Sequence, residues 1–555
     1  MDKIVEKIKN LGIEVVTDED GKFKYRRDTS IYEIEPACVV FPKNSEDIKK
    51  LVKLINEEKN PNLSLTPRAA GTDMSGGPLT ESILIDVMKY MNKIEEVGKD
   101  FAITEPGVFY RDFEKETMKK NLYLPSFPAS RELCAMGGIV SNNSGGEKTL
   151  QYGKTNKYIL GLKVILADGK EYYLEKLTKH GLQEKVVNGG FEGEVYEKIY
   201  KLVTDNKKII EDSRPKVSKN SSGYNIWDVY DGEDFDLTQL ICGAQGTLGI
   251  ITEEKLKLVE KQKYEKLYVI FFKNLDTLPQ FTQDVLKLKP TSLEITDDHT
   301  FKLYLKYARE MSELLGAGGI FSTAKLFLPE FLMVARSGIP KLVTLVQFEG
   351  DDKEILDGKV KQLETVVKKF HLRGRLCKTQ LEVDKYWRLR RDTFRLLREK
   401  IKDRHSTPFI DDISVLPEYL PEFIPALTKI LDEHKILYTI SGHLGDGNLH
   451  VIPLMDLSVE EERKKIYEVT DKVYKLILEH KGSLTAEHND GLIRSPYLEM
   501  EFGKEVFDIF KKVKQIFDPN NIFNPNKKTG ATREYAIDHM INDKVYIQKH
   551  PHERQ

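Results

Sequence analysis

Cysteine is scarce: there are four in 555 residues, at positions 38, 134, 242 and 377, no two of them close in the chain. That spacing excludes a CxxC redox pair, an iron–sulfur ligand set and a disulfide framework within this chain. Long apolar runs are missing as well. No stretch approaches the roughly 18 residues that suggest a membrane span, and short ones such as 268–272 and 159–167 read as strands. The opening MDKIVEKIKNLG alternates charged and apolar residues at helical spacing and lacks the apolar core and cleavage site of a secretory signal. Charge of one sign is not in excess either: 86 Lys plus Arg face 88 Asp plus Glu, a net charge of −2. Nothing overall draws the chain to nucleic acid or to an anionic membrane. A cytoplasmic protein is expected, with no transmembrane segment and any membrane association made through a partner.

What is present is a globular balance, 40% hydrophobic and 31% charged. A single core rarely grows past about 250–300 residues, so several domains are expected. Residues 1–36 read as a helical lead-in. From 37 the texture is α/β. Residues 38–41 read as a strand, Asn44 caps a helix with Asp47 three residues on, and Ile48, Leu51, Val52 and Ile55 give that helix one apolar face. Strands at 63–66, 83–87 and 101–105 follow. Residues 162–174 read as a hairpin turning on Asp168-Gly169. From 265 to 455 the order strand, helix, strand occurs twice (267–272, 279–287, 292–296; 342–348, 352–370, 373–377). It predicts an antiparallel sheet with helices on one face, the split-βαβ layout. Residues 456–528 read as helical, and 529–555 as a charged, loosely held tail.

Five segments carry chemistry. The first is PRAAGTDMSGG (67–77), where glycines let backbone N–H groups converge on an anion and Thr72 and Ser75 add hydroxyls. It is neither a Walker loop nor a GxGxxG fingerprint, and alone it reads equally as a phosphate cradle or a turn-rich surface loop. The second and third are MGGIVSNNSGG (136–146) and GAQGTLGIIT (243–252). Three such clusters imply backbone packed closely against something large and polar. The fourth and fifth are GHLGDGNLH (442–450) and AEHNDG (486–491). They supply His443, His450 and His488 with several carboxylates, the donor types of a divalent metal site. Histidine pairs are more often structural than ligating. The adjacent Glu487-His488 favours a site in which one residue binds metal and the other handles protons.

Taken in order, with FDPNNIFNPNK (517–527), these motifs resemble the FAD-linked oxidases of the vanillyl-alcohol oxidase/PCMH superfamily. The nearest branch is that of glycolate oxidase flavoprotein subunits, D-lactate dehydrogenases and D-2-hydroxyglutarate dehydrogenases. The resemblance runs from about residue 36 to 528. It implies an α+β fold: a two-part PCMH-type FAD-binding domain (37–260), a ferredoxin-like cap for the substrate (265–455) and C-terminal helices closing on the flavin (456–528). It places FAD phosphates on Arg68, Gly71, Thr72, Ser75 and Gly76. Pro106 and Gly107, then Gly137, Gly138, Asn142 and Ser144, then Gly249, Ile250 and Ile251, would flank the cofactor, with Asn524 near the flavin ring. His443, His450 and Glu487 would bind Zn²⁺ or an ion such as Mn or Fe. His488 would be the catalytic base and Arg390 the partner of the substrate carboxylate. The alternative for Arg390 is one basic residue among several on a solvated helix.

The expected activity is oxidation of a small D-2-hydroxy acid, of the D-lactate or glycolate type, to the 2-oxo acid. The electrons would pass to a separate acceptor: a quinone, an electron-transfer flavoprotein or an iron–sulfur partner chain. The first loop has no histidine, so FAD is expected to be non-covalent. Ile410 and Ile452 stand where the hydroxyglutarate branch carries a lysine and an asparagine, which favours a smaller or more apolar acid. Ala486 and Asn489 replace the glycines that commonly flank the Glu-His pair, and Ala69-Ala70 interrupt the usual glycine run. Two other readings remain: a redox-neutral transferase of the alkyl-dihydroxyacetonephosphate synthase type, which would need a histidine-rich run not found here, and an electron-relay flavoprotein subunit, which would need no base.

Overall fold

Local signals set the first unit. The Asn44 side chain accepts from Asp47 N at 3.3 Å and starts the helix Ser45–Glu58. Its buried face, Ile48, Leu51, Val52 and Ile55, packs on the strands Cys38–Phe41 and Ile83–Asp86. The structure, a computed structural model, describes residues 1–306, 327–328, 330–332, 334–335, 338–400 and 404–542. In the first sheet the order is Glu14–Val16, Cys38–Phe41, Ile83–Asp86, Leu65–Arg68; the last three run parallel and the first antiparallel. The lead-in is therefore not only helical. Its strand Glu14–Val16 completes this sheet, so residue 37 is no break in the packing. The glycine-rich loop leaves the end of Leu65–Arg68.

A second, antiparallel sheet is ordered Ile94–Val97, Phe101–Thr104, Ile250–Lys257, Ile159–Ile165, Glu171–Leu174. Its last hairpin turns through Gly169 at φ 72°, as the Asp-Gly pair predicts. One face is covered by the helix Met136–Asn142, whose Met136, Ile139 and Val140 share a core with Leu162, Val164 and Leu256.

The third sheet runs Arg373–Leu376, Tyr264–Phe272, Leu342–Gly350, Ser292–Asp297, Leu437–His443, Asn448–Met455, His405–Ser406, all antiparallel. The first four strands hold the split-βαβ order. Both faces are covered, not one. Tyr268, Ile270 and Phe272 meet the helices Leu278–Leu286 and Lys353–Lys369. Leu267 and Val269 meet Phe301, Val383, Tyr386 and Trp387 on the other side. A strand apolar at every position needs cover on both faces.

The C-terminal helices divide between the cores. Glu460–Glu479 puts Ile466, Val469, Val473 and Ile477 into the third sheet's core. Leu498–Phe517 puts Val506, Ile509, Phe510, Val513 and Phe517 into the second sheet's core. The segment between them, which contains AEHNDG, crosses from one body of the protein to the other. The described part of the tail is packed rather than loose: Ile541 N donates to Ile31 O at 2.9 Å and Ala536 is fully buried. Residues 543–555 lie outside the described residues. Among those described, no helix is long and apolar enough to cross a membrane.

Candidate active site

Two adjacent strands carry the first histidines. Leu437–His443 and Asn448–Met455 pair antiparallel around a turn at 444–447, with His450 opposite Ser441 and His443 opposite Asn448. Gly447 lies at φ 65°, and a Cβ there would sit 1.7 Å from Val415 O, so glycine is required. On the other side of Leu437–His443, Glu294 faces His443 across the ladder, and its Oε1 lies 2.6 Å from His443 Nδ1. With Nδ1 engaged, His443 Nε2 is turned the other way, to 3.3 Å from Glu487 Oε1. The His443 and His450 rings meet edge to face at 5.2 Å, and His450 stacks on His488 at 5.1 Å.

One aspartate orients two of these rings. Asp411 Oδ1 lies 3.3 Å from His450 Nδ1 and its Oδ2 lies 2.9 Å from His488 Nδ1. The next residue holds the loop. Asp412 Oδ2 accepts from Thr485 Oγ1 (2.5 Å), Glu487 N (2.8 Å) and His488 N (2.7 Å), while its Oδ1 accepts from Asn448 Nδ2 at 3.0 Å. Arg494, fully buried, donates to Asp411 O at 2.5 Å and Asn489 O at 2.8 Å. Lys219, also fully buried, bonds Glu487 Oε1 and lies 3.3 Å from Asp446 Oδ2. Arg390 reaches the cluster through Glu294, its Nε donating to Oε2 at 3.1 Å.

The charges follow from this geometry. Burial opposes ionisation of Asp411, Asp412 and Glu487. The imidazoles facing the aspartates nevertheless hold both below the usual carboxylate range, and Lys219 and His443 hold Glu487 well below it. Burial lowers His450. It also opposes the proton on His443 and His488, yet Glu294 raises the first and Asp412 with Asp411 raises the second to about 9. Ligand atoms of Asp412, His450, Glu487 and His488 lie within 4.8 Å of one another. His443, one of the three expected ligands, falls outside that group of four, although its Nε2 lies 3.3 Å from Glu487 Oε1; imidazole and carboxylate donors of this kind suit a divalent ion of the Zn, Mn or Fe type. Asp412 already accepts on both oxygens and serves the loop rather than an ion.

The glycine segments converge beside this cluster. Asn142 Nδ2 donates to Glu487 O at 2.7 Å, and Asn489 Nδ2 donates to Asn142 O at 3.2 Å and Gly243 O at 2.8 Å. Asn524 ties the strips together: its Nδ2 donates to Gly77 O (2.9 Å) and Gln245 O (2.7 Å), and its Oδ1 accepts from Thr66 Oγ1 at 3.1 Å. A Cβ on Gly138 would meet only Ala69 Cβ, at 3.8 Å, so the first and second strips face a common open space. Asn142 Oδ1 is buried and has no hydrogen-bond partner among the described residues. Such a polar cradle fits a large cofactor with hydroxyl and phosphate groups.

The first loop differs from expectation in which groups it offers. The Arg68 guanidinium donates to Tyr25 O (3.1 Å) and Arg27 O (2.7 Å), stapling the lead-in instead of facing the loop. Ser75 N and Gly77 N donate to Asp73 Oδ2, and Gly76 N to Asp28 Oδ2. The amides of Gly71, Thr72, Asp73 and Met74 have no acceptor among the described residues, whereas those of Ser75, Gly76 and Gly77 do. Gly137 N donates to Pro106 O, and Gly107 N to Met91 O, each at 2.8 Å. Ser144 is buried and accepts from Thr155 on its carbonyl. Gly249 packs on Val164, with Ile250 and Ile251 in register with Ile165 and Val164. Ile410 and Ile452 are both buried.

Sequence reasoning missed Glu294, Asp411, Asp412, Lys219 and Arg494. Asp411-Asp412 left a trace, two acids between Phe409-Ile410 and Ile413. Lys219 left none in its polar run SKNSSG.

Comparison with known proteins defines the class. Residues 36–174 match the FAD binding domain and residues 261–528 match the FAD linked oxidases, C-terminal domain. The chain belongs to the FAD-linked oxidases, an enzyme family. Among its relatives is the "Glycolate oxidase subunit GlcD" of Bacillus subtilis, 28% identical over 91% of this chain and 92% of that protein. Another is the "D-2-hydroxyglutarate dehydrogenase" of Escherichia coli, 27% identical over 90% of this chain and 49% of that protein, so the chain spans about half the length of that relative. The fold is also that of 4-ethylphenol oxidase from Gulosibacter chungangensis, with a TM-score of 0.69 at 17% identity, covering 96% of this chain and 98% of that one.

Proposed function

We propose that this chain is a metal-assisted, FAD-dependent dehydrogenase that oxidises a small D-2-hydroxy acid, of the glycolate or D-lactate type, to the 2-oxo acid. The observation that carries the reading is that His443 and His450, on two adjacent strands, meet Glu487 and His488 of the segment crossing between the two bodies, with Asn142 of a glycine strip bonded to that same segment. A flavin relay would need neither base nor donor cluster.

Bound FAD supplies a hydride acceptor, and a divalent ion on His443, His450 and Glu487 supplies a Lewis acid that makes the substrate hydroxyl more acidic. The residues of the chain do the rest. Arg390 has its Nε on Glu294, and its terminal nitrogens can take the substrate carboxylate bidentately. His488 takes the hydroxyl proton at Nε2, while Asp411 holds Nδ1. Asp412 and Asp411 raise His488 to about 9, and the positive charge of a bound ion would lower it toward the range of a base. Ile410 and Ile452 offer no polar group for a second carboxylate, which favours short acids. The electrons leave to a separate acceptor in this reading, the four cysteines being separate, buried thiols.

The test is anaerobic mixing with glycolate, D-lactate and D-2-hydroxyglutarate while the flavin absorbance is followed. Bleaching by a short acid, lost on chelation and in His488→Asn while FAD stays bound, is expected. Bleaching by none of the acids, or wild-type bleaching in His488→Asn, would overturn the reading.

A further inference from the structure

The segment 217–224 belongs to the FAD-binding body, carries no glycine motif and has no regular structure, yet it is built into the histidine cluster. Ser218 Oγ donates to Asp446 Oδ1 at 2.7 Å, Ser221 N to Thr485 O at 2.9 Å, and Gly223 N to Asp490 Oδ2 at 2.9 Å. Ser483 Oγ donates back to Asn220 Oδ1 at 2.7 Å. Two further buried lysines fix the same strap: Lys154 Nζ donates to Asn220 O at 2.9 Å and Ala486 O at 2.6 Å, and Lys528 Nζ to Gly223 O at 2.6 Å. The strap is thus held at several points without Lys219, whose side chain is free for another task.

That side chain touches two of the three acids in the histidine motifs. Its Nζ bonds Glu487 Oε1, the same oxygen that faces His443 Nε2 at 3.3 Å, and lies 3.3 Å from Asp446 Oδ2 in the turn between His443 and His450. Lys219 is fully buried, so no water competes for it. A carboxylate on a flexible side chain is a good metal ligand only when something else fixes its rotamer, and such supporting bonds commonly matter 10–100-fold in ion affinity.

We propose that Lys219 is a positioning residue for a metal site: it aims the Glu487 carboxylate at His443 and His450 before an ion arrives, with Asp446 holding the ammonium in place. The inference rests on the metal-assisted reading above. It assigns the decisive support of a ligand in one body of the protein to a lysine from the other. Asp411 and Glu294 do the equivalent for the imidazoles, and Lys219 completes the set.

The experiment uses FAD-loaded protein, stripped with a chelator and titrated with Zn²⁺ or Mn²⁺ by calorimetry, with flavin content measured alongside. Lys219→Met should bind the ion at least tenfold more weakly than wild type with its FAD content unchanged. Lys219→Arg, which keeps a donor and a charge at the carboxylate, should stay within about threefold of wild type. Lys219→Gln is measured in parallel, with the same tenfold loss expected, and decides the matter if the methionine variant does not fold. Equal or tighter ion binding in Lys219→Met or Lys219→Gln overturns the inference, as does a Lys219→Arg variant no better than Lys219→Met. A wild type that binds neither ion would instead sink the metal reading itself.

Discussion

Replacing Asp412 by asparagine should unfasten the loop that carries Glu487 and His488 and leave the glycine strips intact. The substitution keeps the side-chain shape, and asparagine tolerates the φ of 65° at this position. What changes is the acceptor. In the native site one oxygen receives Thr485 Oγ1, Glu487 N and His488 N, and the other receives Asn448 Nδ2. An amide placed with its oxygen toward the loop turns three charge-assisted bonds into neutral ones, at about 1 kcal/mol each. It also sets two NH₂ groups against each other where Asn448 now donates, costing a further 1–3 kcal/mol or so, for a total of about 4–6 kcal/mol. The opposite orientation loses three bonds and is worse. Since 1.4 kcal/mol is a factor of about ten, Glu487 and His488 should no longer hold their positions. Ion affinity and turnover should fall at least a hundredfold. The bonds of Asn524 to Gly77 O and Gln245 O involve neither Asp412 nor its loop, so flavin should be retained. Calorimetric ion titration, anaerobic flavin reduction and the flavin-to-protein absorbance ratio measure the three quantities. An Asp412→Asn protein with native ion affinity and turnover would refute the assignment, and loss of flavin with everything else would refute the claimed independence of the two parts.

Two further outcomes follow from buried polar groups. Glu254 is fully buried, neither carboxyl oxygen has a partner among the described residues, and burial raises it to about 8. Its folded value lies above the unfolded value of 4.5, so its contribution is fully present below pH 4.5 and is lost as pH rises toward 8, at about 1.4 kcal/mol per unit. Glu254→Gln should therefore melt near wild type at pH 4.5 and several degrees higher at pH 8; parallel melting curves across that range would contradict it. Asn524→Ala removes bonds to Gly77 O, Gln245 O and Thr66 Oγ1, leaving buried groups that cost about 1–3 kcal/mol each. It should lower both the melting temperature and the flavin retained after gel filtration, and full flavin content would count against the role of Asn524 in joining the strips.

The sequence disclosed what is local and hid what is assembled. The cap at Asn44, the Asp168-Gly169 hairpin and the order of strands in the third sheet were legible because each depends on a few consecutive residues. Cover on both faces of that sheet was written in Leu267–Phe272, which is apolar at every position, but the helices supplying the second layer come from 298–306 and 380–400, out of sequence with it. Arg68 shows the limit of motif reading. Its place in the loop suggested a phosphate, whereas its guanidinium meets carbonyls of the lead-in that no local pattern connects to it. The histidine motifs were found because three imidazoles and an acid lie in two short segments. Their supports were not, because Glu294, Asp411 and Lys219 come from three distant elements.

Burial changes how those acids read. Asp411 and Asp412 stand between Ile410 and Ile413, all four deeply buried. Two carboxylates cannot be taken from water together unless cations, imidazoles or several N–H donors face them. An acidic pair inside an apolar run therefore implies a matching cluster elsewhere in the chain, and here the match is His450, His488 and Arg494 with the amides of 487 and 488. The same reasoning runs in reverse for Lys219. Nothing in SKNSSG marks it, but a fully buried ammonium requires carboxylates, and those it finds lie one beside each histidine motif. The ion pairs across the two bodies of the protein are thus the physical reason that segments more than 200 residues apart form one site.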